Sequence, residues 1–81
     1  MKIPAEFQHR LFQFISSELI RVDGPQNPTE LAWSCGEFTR RWFGIEESNE
    51  LMAWTFGREL ISWAERLGKH VGVLWFNQKE G

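Results

Sequence analysis

Eighty-one residues, with nine Lys and Arg against eleven Asp and Glu, leave room for one domain of net charge −2, which excludes a second domain and a bulk basic surface for nucleic acid. A hydrophobic share of 42% with 25% charged residues excludes a disordered tail, and no apolar run approaches the roughly 20 residues of a membrane span. One cysteine and two histidines cannot supply an intrachain disulfide or a zinc site of four protein ligands.

No metal or other cofactor is therefore expected. The start, Met1-Lys2-Ile3-Pro4-Ala5-Glu6, has no apolar stretch of the secretory type, and cytoplasmic location is the expectation. Seven Phe and five Trp without a single Tyr stand out in so short a chain. Large side chains are one way for a domain without disulfide or metal to bury enough area.

Pro4 suits the first turn of a helix, and Phe7, Leu11, Phe14, Ile15 and Leu19 recur at spacings of three and four, predicting helix 1 over about 4–20. Glu18 projects into that apolar face, where it needs water at the helix end or an arginine such as Arg41 or Arg58. Asp23-Gly24-Pro25 predicts a chain reversal. Asn27-Pro28-Thr29-Glu30 then combines a cap residue, a proline at the first helical position and a glutamate placed to reach back to the cap amide.

Helix 2 is expected over about 28–42, with Leu31, Cys35, Phe38 and Trp42 as its buried stripe and Cys35 as a core thiol. Gly44 is its stop signal, and Ser48 followed by Glu50 starts helix 3, expected over about 48–67. The apolar set of helix 3, which includes Met52, Ala53, Trp54, Phe56, Leu60, Trp63 and Leu67, is broad enough to make it the central helix. Its small residues Ala53, Gly57 and Ala64 invite helix 1 or helix 2 to approach closely.

Gly68 reads as the end of helix 3. Val71-Gly72-Val73-Leu74-Trp75-Phe76 is β-branched and aromatic on both alternating faces, so a C-terminal extended segment or short strand is expected at about 71–76, with a fourth short helix as the competing reading. Such a strand could pair with Met1–Ile3, with the stretch around Val22, or with a second copy of the chain. The fold class is thus mainly α, a compact three-helix domain spanning 1–81 with no separable linker.

Phosphate-binding glycine loops, the paired-histidine zinc motif, the two-cysteine redox motif and the nucleophile elbow are all missing from the chain, and no catalytic residue is assigned. His9 and His70 read as solvated. Ala32-x-x-x-Gly36 with Trp42 and Ile45 imitates helix-turn-helix spacing, but Glu37 to Trp42 continues the period of helix 2 where a turn should stand. What remains is Trp33 and Arg40 on the side of helix 2 opposite its stripe, with Arg41 beside them and Trp75 and Phe76 in the tail. Trp and Arg are enriched where binding energy concentrates.

The expected function is accordingly a non-catalytic module that binds another protein, an adaptor, regulator or inhibitor using Trp33, Arg40, Arg41, Trp75 and Phe76. A homodimer through the C-terminal segment is the associated expectation. The alternative is a helix-turn-helix-like DNA regulator acting through Arg40 and Arg41, which the net negative charge disfavours.

Overall fold

The computed structural model describes residues 3–45 and 57–80. Three helices result: α1 (Ala5–Ile20), α2 (Pro28–Phe43) and α3 (Arg58–Glu80). The first two match the sequence reading within a residue at each end. The expected start of helix 3 at Ser48, with Met52, Ala53, Trp54 and Phe56, lies outside the described residues.

Local chemistry explains the ends of α2. Asn27 is extended and its side-chain oxygen accepts the Glu30 amide at 2.9 Å, with Pro28 occupying the first turn. Glu30 reaches back one residue further than expected, its Oε2 accepting the amide of Gln26 at 2.5 Å. At the other end Gly44 adopts φ 64°, a left-handed conformation that glycine enters without a Cβ penalty. The Ile45 amide then donates to the Arg40 carbonyl at 2.9 Å and the Gly44 amide to that of Arg41 at 3.4 Å, a Schellman closure.

The core is built from Phe7, Leu11 and Ile15 of α1, Leu31 and Cys35 of α2, and Leu60 and Ala64 of α3. Phe7 sits at its ring-rich side, with centroids of Phe43 at 5.0 Å, Trp63 at 6.1 Å, Trp42 at 6.2 Å and Phe38 at 6.3 Å. Among the described residues α2 packs along α3 and also meets α1, and Phe7 of α1 reaches Trp63 of α3; the first part of the expected central helix 3 lies outside the described residues.

One further expectation fails on α2, and one buried residue was not anticipated. Trp42 belongs to the apolar stripe by angle yet is 42% exposed, at the next-to-last position of the helix. Thr39, which the stripe omitted, is fully buried, and its hydroxyl donates to the Cys35 carbonyl at 2.7 Å. That bond satisfies the hydroxyl within its own helix and lets a polar side chain enter the core.

The largest correction concerns the C-terminal segment. Residues 71–76 are neither extended nor a strand; α3 continues without interruption through Gly68 and Gly72 to Glu80. A single strand would leave its amides and carbonyls without partners, whereas a helix satisfies them internally. Tertiary packing also converts the two glycines from breakers into a seam.

A Cβ on Gly68 would lie 2.6 Å from Cys35 Sγ and 3.0 Å from the Leu31 carbonyl, and one on Gly72 would lie 3.0 Å from Pro28 Cα. With Ala64, these positions recur every four residues and let α2 come close along one line. The pairing of Gly72 with Pro28 and of Gly68 with Leu31 and Ala32 makes the two helices antiparallel. It also carries the last eight residues of α3 beyond the first turn of α2. A 23-residue helix is about 34 Å long, which accounts for most of the 43 Å long axis of the molecule.

Candidate partner-binding surface

Trp33 is 67% exposed. Its angle on α2 is about 160° from that of Cys35, so the packing that buries Leu31, Cys35 and Thr39 necessarily turns the indole outward. The α1–α2 turn comes back beside the first turns of α2, fastened by the Gly24 amide donating to the Arg21 carbonyl at 3.1 Å and by Gln26 Nε2 donating to the Gly24 carbonyl at 2.8 Å. Between turn and helix lies a shallow cleft of ≈ 490 Å³ with Trp33, Pro25, Asp23 and Glu30 in its lining.

Charge near the cleft is organised around Arg21. Its guanidinium bonds Glu18 Oε2 at 3.0 Å and Asp23 Oδ1 at 3.2 Å. Glu18, only 9% exposed, therefore takes its partner from the end of its own helix and not from Arg41 or Arg58. This pairing three residues on was legible in principle, since Arg21 follows Glu18 at the spacing at which helical side chains meet.

The other expected contact residues do not join Trp33 in one cluster. Arg40 and Arg41 lie in the last turn of α2; Arg40 pairs with Glu37 at 3.4 Å, and Arg41 is exposed. Trp75 and Phe76 lie at the far end of α3, half-buried, with centroids 5.1 Å apart and edge to face. Lys79 Nζ stands 4.5 Å from the Trp75 ring centroid, a cation–π contact. Because α2 and α3 are antiparallel, Trp75 and Phe76 belong to the end of the molecule that carries the α1–α2 turn. The arginine pair belongs to the opposite end.

A second surface was missed. Phe14, Phe38 and Trp42 form a run of rings with successive centroids 4.6 and 6.0 Å apart, bordering a shallow groove of ≈ 400 Å³ that Arg10 also lines. Periodicity gives the direction of a side chain but not whether anything lies over it. Val73 and Leu74, read as strand residues, are exposed on α3.

Cys35 is fully buried, and burial, reinforced by the negative charges of Glu18 and Glu65, pushes its thiol up to about 12. It stays protonated at neutral pH. His9 and His70 are both exposed, His9 within 3.2 Å of Gln13. Among the described residues no three His, Cys, Asp or Glu side chains come together as a metal site, and no helix is long and apolar enough to cross a membrane. Comparison with protein-family models, with curated proteins and with solved structures finds no match to this chain.

Proposed function

We propose that this chain is a non-catalytic, cytoplasmic module that binds another protein, as an adaptor, regulator or inhibitor that occludes its partner's surface. The observation that supports this reading is Trp33, an indole 67% exposed in the second turn of a helix whose opposite side is packed. An exposed indole contributes little to folding, and Trp is among the residues that carry most binding energy at interfaces. The groove at Phe14, Phe38 and Trp42 and the exposed Arg41 are further surface for the same purpose.

The test is affinity capture from the native host's lysate with wild-type and Trp33→Ala baits of matched thermal stability. A specific protein retained by the wild type and lost by the variant is the expected result. Capture that is indifferent to Trp33, or salt-sensitive retention on duplex DNA abolished by Arg40→Ala with Arg41→Ala, overturns it in favour of the DNA alternative or of another surface.

A further inference from the structure

The cleft beside Trp33 has a chemistry more specific than an exposed indole alone. Its charged lining residues are Asp23 and Glu30, and no basic residue lines it. Arg21, the nearby cation, is engaged by Glu18 and Asp23 together. Three carboxylates against one guanidinium leave a local charge of −2 next to an open aromatic ring. Asp23 remains 86% exposed despite its ion pair, and Glu30 is exposed at its bond to Gln26. Pro25 adds apolar surface to the lining.

We propose that this cleft receives a cationic side chain, a lysine or arginine on an exposed segment of a partner protein, with the cation over the Trp33 ring and within reach of the Glu30 and Asp23 carboxylates. The proposal rests on the reading of the chain as a protein-binding module and names the chemistry of the partner. Three features select a cation. The face of an indole carries negative quadrupolar potential and attracts positive charge. The neighbouring carboxylates add to that potential and repel an acidic segment. A cation already stands over an indole at the same end of the molecule, where Lys79 Nζ is 4.5 Å from the Trp75 ring centroid. An apolar anchor alone would gain nothing from the carboxylates and would cover groups that prefer water.

The probes are acetylated, amidated tetra-arginine, tetra-lysine and tetra-glutamate peptides, titrated into the intact ¹⁵N-labelled protein at low salt. The readout is the indole N–H resonance of Trp33, assigned by its loss in Trp33→Phe. The expected result is a saturable shift of that resonance with the two cationic peptides and none with tetra-glutamate. Binding should weaken about tenfold in Asp23→Asn with Glu30→Gln and about tenfold between 20 and 200 mM salt, as expected for an interaction resting on a few exposed charges.

Thr29→Lys, which places a cation at the rim without removing any native bond, should weaken binding similarly and serves if the double variant is destabilised. An unmoved Trp33 resonance, equal response to tetra-glutamate, or undiminished binding by both charge variants overturns the proposal. Trp33-dependent capture of a partner alongside any of those results would refute the cationic chemistry alone. Loss of Trp33 dependence in capture would refute the broader reading.

Discussion

The two sides of α2 are packed by opposite means. Toward α3 the helix meets Ala64, Gly68 and Gly72, and backbone approaches backbone. Toward α1 it meets Phe7 and Phe14, and the space is filled by rings. The seam gains from close, extended contact between small groups and tolerates no added atom. The ring side gains from area buried per side chain and tolerates no removed one. A short chain thus joins three helices by two kinds of contact, and the aromatic cluster around Phe7 and Phe38 lies on the ring side.

The comparison is broken most severely at Phe7. Phe7→Ala removes the ring around which Phe38, Trp42, Phe43 and Trp63 gather, and should cost about 3–5 kcal/mol, close to the whole stability of a small domain. Urea unfolding followed by circular dichroism should show a largely unfolded variant. A loss under about 1 kcal/mol would deny the ring side its role.

At the seam the smaller change is an addition. Gly68→Ala would raise helix propensity by about 1 kcal/mol at an open site, yet here the methyl meets Cys35 Sγ and the Leu31 carbonyl, and net destabilisation of about 1–2 kcal/mol is expected. Part of that loss should return in a Cys35→Ala background, where the sulfur is gone and the carbonyl remains. A more stable Gly68→Ala would show that the helices stand further apart.

Cys35 gives the seam a pH signature. Its folded pKa is raised to about 12 from 9.0, so its contribution is complete below pH 9 and is lost as pH rises toward 12, where the unfolded chain ionises first. Wild-type stability should fall with pH over this window by up to about 1 kcal/mol per unit more steeply than that of Cys35→Val. Parallel pH profiles for the two proteins would place the thiol in contact with water.

The smallest effect is expected at Trp33, which belongs to neither joint. Trp33→Ala should change unfolding free energy by no more than about 0.5 kcal/mol in the same urea experiment. A loss of several kcal/mol would make the indole a third packing element and remove it from the candidate surface.

Much of α1 and α2 was legible because their signals are local. Asn27, Pro28 and Glu30 lie within one turn, and the stripe of Phe7, Leu11 and Ile15 requires only counting. Cys35 as a core thiol followed from the same angles, which also set Trp33 opposite the stripe without deciding whether the C-terminal segment covers it. The segment from Val71 to Phe76 was misread because its composition favours a strand while its register suits a helix. Leu60, Ala64, Leu67, Val71 and Leu74 recur at three and four, and the spacing of Gly68 and Gly72 matches the same repeat. Trp42 was misplaced and Thr39 overlooked because angle alone does not say what covers a side chain or whether a hydroxyl can bond its own backbone.

The sequence by itself determined that the chain is helical, where α1 and α2 begin and end, and that Cys35 is enclosed, since caps, turns and periodicity act over a few residues. Only the tertiary structure decided that Gly68 continues α3, that Trp33 stays exposed, and that the tail aromatics share an end with the α1–α2 turn while the arginine pair does not. Those outcomes depend on what lies opposite each residue, and the close approach of α2 to α3 turns two glycines from helix breakers into contact points.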